Sequence, residues 1–290
     1  MSEVVYKEFR KEEMEFHFNP RVSSPDYPHW AEERRKASQR VRGTLRSWLN
    51  IPYGTSPREV MDIFPANKAC APVFVHIHGG YWRGGSKDDN CHFAELFTEA
   101  GVAVVLLEYD LCPAVTVTEI VRQSRSAIAW VYRHISEYGG DPERLYICGL
   151  SAGGHLVAMA LAHDWEAEGL RHQIIKGASA ISGVYDLDAV LHVSVNREIR
   201  LNPQSARENS PFLHPPLPYA PLIIAVGGSE PRGWKQMSEE FFKVCRKRGL
   251  KCEYLEIPAA DHYSLASLLA DPDSSLTRAI FQQMGLPPPG

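Results

Sequence analysis

From residue 48 onward the hydrophobic positions follow two alternating rhythms. Short strand-like runs lie at residues 73–78, 102–107, 174–181, 222–226 and 252–257, the second of them continuously apolar. Their length and β-branched content predict strands, with those at 73–78 and 102–107 buried on both faces. Between them, apolar residues recur every three or four positions. That spacing predicts helices over 89–100, 118–138, from Ala152 onward, and over 234–247. In the second of these, Ile120, Ile128, Val131 and Ile135 share one face. Residues 48–53 and 60–64 predict an opening antiparallel pair. Upstream, residues 29–48 are rich in Ala, Glu, Arg and Lys and lack proline. They predict a helix with one polar face, lying across the main body. The first 25 residues are charged and aromatic and run into a Pro25-Asp26 turn. Alternation of this kind predicts an α/β chain with a mostly parallel central sheet and helices on both faces.

Two glycine motifs sit where such a sheet binds ligands, at the carboxyl ends of its strands. The run Leu145-Tyr146-Ile147-Cys148 ends in Gly149-Leu150-Ser151-Ala152-Gly153, a G-x-S-x-G pattern. A lone match is often just a turn of small residues. Here a strand precedes it and a helix follows, which makes it a nucleophile elbow. The turn is tight enough to need glycine on both sides of Ser151, and it lifts the hydroxyl above the sheet. The second motif, His78-Gly79-Gly80-Tyr81-Trp82, follows the run at 73–78 directly. Glycines there free backbone N–H groups to face a developing negative charge. Gly80 or Tyr81, paired with Ala152, are the expected donors.

A serine hydroxyl needs a base, and the base needs an orienting acceptor. His262 falls in a loop just past the last strand and is the expected base. His155, His163, His172, His192 and His214 read as packing or surface histidines. Glu230 follows Ala225-Val226-Gly227-Gly228-Ser229 and is the expected acid, with Asp186 and Asp261 as alternatives. His76 and His78, two apart on a strand, face one side. They lack a visible third zinc ligand, so neither metal nor cofactor is expected.

With these residues the chain resembles the α/β-hydrolase superfamily, and within it the kynurenine formamidase (arylformamidase) branch with its bacterial esterase-like relatives. The shared words are His78-Gly79-Gly80-Tyr81-Trp82, Ser86-Lys87-Asp88, Tyr109-Asp110-Leu111-Cys112-Pro113 and Gly149-Leu150-Ser151-Ala152-Gly153-Gly154-His155. Ser182-Gly183-Val184-Tyr185-Asp186-Leu187 and Val226-Gly227-Gly228-Ser229-Glu230 continue the series. The resemblance implies an α/β-hydrolase fold with an N-terminal helical arm over 1–47. It also implies a serine hydrolase that cleaves a formyl or short acyl group from an aryl amide or ester. Two departures stand out. Glu230 stands where animal formamidases often have Asp, and Tyr263 stands beside the base where Phe is expected.

Composition narrows the rest. The chain has 290 residues, 44% of them hydrophobic, and a net charge of -4. One domain over 1–290 suits this length. The charge points to neither nucleic acid nor an acidic membrane surface. No apolar run has the length of a membrane span, and residues 1–9 lack the order of a signal peptide. Six scattered cysteines without a C-x-x-C pair suggest free thiols in the cytoplasm. The expected partner is a small aryl amide or ester, and the oligomeric state stays open, a homodimer included. Aromatic residues near the catalytic loops, Trp82, Tyr109 and Tyr185, are expected to wall a flat leaving group. The Pro-rich segment 194–221, without periodicity, is expected to cross the active-site mouth. A non-catalytic ligand-binding protein is the remote alternative, since the serine, base and glycines are all in place.

Overall fold

The computed structural model describes residues 3–289. Among the described residues ten strands fall into two sheets. A small antiparallel pair, β1 (Val4–Tyr6) and β2 (Phe9–Arg10), opens the chain. The central sheet holds β3 (Trp48–Pro52), β4 (Val60–Phe64), β5 (Ala71–Ile77), β6 (Ala103–Leu107), β7 (Gly140–Leu150), β8 (Ile175–Ile181), β9 (Leu222–Gly227) and β10 (Cys252–Ile257). Its order is β10-β9-β8-β7-β5-β6-β4-β3. β3 and β4 pair antiparallel, as do β4 and β6, and the other pairings are parallel. This is the α/β-hydrolase fold that the alternating pattern and the glycine words implied.

Period-two geometry divides the core between the faces of the sheet. On β5, Val73, Val75 and Ile77 join one apolar cluster, while Phe74 joins the other. On β6, Val105 and Leu107 go to the first, and Val104 and Leu106 to the second. Every residue of β5 is buried, so no polar face is needed, which explains why it is apolar but for His76. Helix Ala152–Leu161 is likewise buried on all sides and apolar all round. Each large apolar side chain so enclosed contributes roughly 1.5–3 kcal/mol.

Two expected helices change shape. The segment 29–48 forms helix Tyr27–Thr44, and Trp48 instead pairs with Ile63 as the start of β3. The segment 89–100 is broken. A short turn, Lys87–Asp89, is capped by Ser86, and helix Ala94–Glu99 follows. The break is held by tertiary bonds: Cys91 N donates to Ser38 Oγ at 3.2 Å, and Asn90 Nδ2 to the Ser86 carbonyl at 2.8 Å. Among the described residues no helix is long and apolar enough to cross a membrane.

Candidate active site

Five neighbouring parallel strands deliver the site. Ile77 of β5 lies opposite Gly149 of β7, and Leu150 of β7 opposite Ile181 of β8. Ile181 lies opposite Ala225 of β9, and Gly227 opposite Ile257 of β10. Loops leaving these ends therefore meet. They carry His78 to Tyr81, Ser151, Ser182, Glu230 and His262.

Ser151 takes φ 56° and ψ −118°, a left-handed conformation that a non-glycine residue adopts only under local strain. Its backbone is pinned from two directions. Its N–H donates to the Ile181 carbonyl at 2.8 Å, and its carbonyl accepts from His155 N at 3.0 Å. A Cβ on Gly153 would stand 2.0 Å from the Ile77 carbonyl oxygen, so the helix can pass this close to β5 only with glycine there.

His262 Nδ1 lies 2.6 Å from Glu230 Oε1. The other carboxylate oxygen accepts from Gly227 N at 2.7 Å and from the Ser182 hydroxyl. Two donors thus fix one oxygen of the Glu230 carboxylate, and the other is left for the imidazole. The Trp234 ring lies 4.8 Å from the His262 ring. Asp186 and Asp261 are committed elsewhere. Asp186 accepts from the Tyr6 hydroxyl at 2.9 Å. Asp261 accepts from Tyr263 N at 3.0 Å and Ser264 N at 2.8 Å, closing its own turn.

The Gly-Gly loop is shaped by strain and by a carboxylate behind it. Gly80 has φ +124°, and a Cβ there would meet the Gly84 carbonyl oxygen at 2.0 Å. Tyr81 and Trp82 also have positive φ. Among the described residues no acceptor is bonded to the N–H of Gly80, Tyr81 or Ala152. Ala152 opens its helix, so its N–H has no intrahelical partner. Behind the loop, Glu108 accepts from His78 Nε2 at 2.8 Å, Ser86 Oγ at 2.9 Å, Lys87 N at 3.1 Å and Arg58 Nη2 at 2.7 Å. Burial alone would raise the Glu108 carboxyl, but these donors pull it down to about 2. Nδ1 of His78 lies 2.8 Å from the Gly79 carbonyl. Both ring nitrogens are therefore engaged by the protein, and His78 supports the loop rather than forming a ligand pair with His76.

Gly79, Gly80, Tyr81, Leu150, Ser151, His262 and Tyr263 open on one cavity of about 410 Å³. Its outer wall is the N-terminal arm, from Asn19 and Arg21 through Tyr27 to Arg34 and Arg35. Tyr27 and Tyr263 face each other there, with ring centroids 5.4 Å apart. The arm is tethered by the Tyr81 hydroxyl, which donates to the Phe18 carbonyl, and by Arg34, which donates to the Tyr263 carbonyl.

Two sequence expectations are corrected here. Trp82, Tyr109 and Tyr185 are fully buried and do not line the cavity. Trp82 Nε1 donates to His155 Nδ1 at 3.2 Å. Tyr109 stacks on His78 at 4.2 Å and donates to its carbonyl at 2.8 Å. Tyr185 stacks on Phe241 at 4.0 Å. A strand end presents a side chain to either face of the sheet, and these three turn into the core. The segment 194–221 also supplies no lining residue. It packs alongside, with the Asn209 carbonyl 2.7 Å from His155 Nε2 and Leu217 N donating to the Leu161 carbonyl at 3.0 Å.

Ser182, Glu108 and Arg34 were not singled out from the sequence. Ser182 carried a signal, since it follows a strand in the same register as Ser151. Glu108 follows the run 102–107 in the same way. Arg34 carried none, lying within an ordinary charge run.

The BD-FAE family matches residues 61–208. The chain is 32% identical to kynurenine formamidase of Salmo salar, over 97% of this chain and 98% of that one. Identity to kynurenine formamidase of Danio rerio is 29%, over the same shares. Among solved structures, a proposed thioesterase from Silicibacter sp. matches with a TM-score of 0.77 and 28% identity, covering 92% of this chain and 99% of that one. An esterase of Pyrobaculum calidifontis shares the fold, with a TM-score of 0.71 at 19% identity, covering 96% of this chain and 98% of that one. The chain belongs to the α/β-hydrolases, enzymes of ester and amide bonds, in the kynurenine formamidase-like branch that has esterase relatives.

Proposed function

We propose that the protein is a serine hydrolase that removes a formyl or other short acyl group from an aryl amide or ester through a Ser151-His262-Glu230 triad. The observation that carries this reading is the Glu230–His262 contact of 2.6 Å at the edge of the cavity that Ser151 lines. Ser151 Oγ attacks the acyl carbon while His262 Nε2 takes its proton. Glu230 holds the Nδ1–H and stabilises the imidazolium that forms. The N–H groups of Ala152 and of Gly80 or Tyr81 receive the developing oxyanion. His262 then gives its proton to the leaving amine or phenol. An acyl ester on Ser151 remains, and water, activated by the same histidine, releases the acid.

The formamidase relatives favour N-formylkynurenine-type aryl formamides as substrates. The likeness to a proposed thioesterase and to esterases favours a second reading, a short-acyl esterase. A substrate panel separates them by kcat/KM. The first reading expects N-formylkynurenine to exceed aryl acetates. The reverse order supports the second, and octanoyl esters outrunning acetyl esters contradict both.

A further inference from the structure

Four arginines, Arg21, Arg34, Arg35 and Arg83, line the catalytic cavity. Three of them have partners that hold them. Arg35 forks onto Glu32 through bonds of 2.9 and 2.7 Å. Arg83 pairs with Glu198. Arg21 lies over the Tyr27 ring, 5.5 Å from its centroid, and bonds to the Tyr263 side chain.

Arg34 differs. Nη1 donates to the Tyr263 carbonyl at 2.9 Å. Nε is shielded from water, and among the described residues it has no hydrogen-bond partner. No carboxylate among the described residues comes within ion-pair distance of the guanidinium. Asp89 and Asp261 lie only near enough to favour its charge, and Asp261 is already turned to the N–H groups of Tyr263 and Ser264. Burial pulls the guanidinium below its ordinary value. A cation partly withdrawn from water, with its Nε shielded and no acid in exchange, is held at a cost. A carboxylate delivered by a ligand removes that penalty, and arginine's planar fork matches it.

The position of Arg34 says which part of the ligand carries the anion. Tyr263 follows His262, and its carbonyl fixes the guanidinium on that side of the cavity. In the proposed reaction His262 protonates the leaving group, so the leaving group lies on the same side. We propose that Arg34 is a specificity residue that binds a carboxylate carried by the substrate's leaving group. This rests on the triad reading given above. The substrate class narrows accordingly, to acylated aryl amines or phenols whose aryl part bears an acid.

Two esters with the same ring and acyl group, meta-carboxyphenyl acetate and meta-carbamoylphenyl acetate, test it. The ratio of their kcat/KM values should favour the acid in the wild-type enzyme. In Arg34→Gln the ratio should fall on the order of 10²-fold, mainly through KM, with Arg34→Lys recovering part of it. A ratio in Arg34→Gln within about twofold of wild type would overturn the inference. A measurement on the wild type alone guards against a variant that does not fold. Meta-hydroxybenzoate should inhibit at least about tenfold better than meta-hydroxybenzamide, and equal inhibition overturns the inference. If neither these esters nor an aryl formamide were hydrolysed, the triad reading would fail, while the inhibitor comparison would still decide the role of Arg34.

Discussion

The floor of the cavity comes from the carboxyl ends of adjacent parallel strands, whereas its outer wall comes from residues 19–35 of the N-terminal arm. On the floor the nucleophile and the acid are anchored to backbone groups, and the base is held by the acid. Ser151 is pinned to Ile181, Glu230 to Gly227, and the Gly-Gly loop to its own tight turn. The wall is held by side chains reaching from a distance, such as the Tyr81 hydroxyl on the Phe18 carbonyl and Arg34 on the Tyr263 carbonyl. Backbone-held geometry tolerates almost no substitution and suits chemistry common to a superfamily. A wall held by side chains can change with little effect on the sheet, and suits the choice of substrate.

The contrast is tested first at the floor. Ser151→Ala should lower kcat on the order of 10⁴-fold or more while leaving the fold intact, as checked by circular dichroism beside the rate assay. A residual rate within about 100-fold of wild type would place the nucleophile elsewhere.

Glu230→Gln keeps the shape and removes the charge, so kcat should fall by on the order of 10²- to 10⁴-fold. Asp186→Asn should change it little, because Asp186 is paired with Tyr6. The opposite ranking would move the acid to the end of β8.

At the wall the effects shrink and shift to KM. Tyr27→Ala or Tyr263→Ala should raise KM for an aryl substrate by up to about tenfold, the value of one aromatic contact, with a smaller change in kcat. Tyr185→Phe should leave KM alone and lower thermal stability slightly, because its hydroxyl meets backbone groups of the core, the Ala180 carbonyl at 3.2 Å among them, and not the cavity. Substrate-dependent KM changes in Tyr185→Phe would restore it to the wall.

A last expected effect, outside the cavity, is on stability in acid. Burial lowers His76 to about 3, and His92 and His155 to about 4. In the unfolded chain these groups return to about 6.5. Between about 6.5 and 4 the unfolded chain therefore binds more protons than the native one, and stability falls as pH drops through that window. Glu108, lowered to about 2, adds a further loss below about 4.5. Melting temperatures should be level above about pH 7 and decline below it, whereas a flat profile down to about pH 4 would contradict this burial.

The same division explains what the sequence disclosed. The strands β5 to β10 were legible from their short apolar or β-branched runs, whereas the start of β7 at Gly140, in a polar stretch upstream of Leu145, was not. The elbow was legible because only glycine at 153 lets its helix pass β5. Glu230, which the structure sets 2.6 Å from His262, could be placed near the base from its position after β9. The aromatic wall was not legible. Trp82, Tyr109 and Tyr185 sit at strand ends, but which face each side chain takes depends on packing partners such as His155, His78 and Phe241, far away in the chain. Arg34 was hidden for the same reason. Within Glu32-Glu33-Arg34-Arg35-Lys36 it reads as a solvated charge, and only the docking of the arm against Tyr263 turns it inward.

The central claim is that Ser151 carries the acyl group between the two halves of the reaction. Rapid acid quench of the enzyme with excess aryl acetate, followed by peptide mass spectrometry, tests it most directly. An acetyl adduct on the peptide holding Ser151, absent from Ser151→Ala and accumulating in Glu230→Gln only as slowly as its turnover, is the predicted result. Full turnover with no adduct on Ser151, or an adduct on another residue that forms and decays at the catalytic rate, would contradict it.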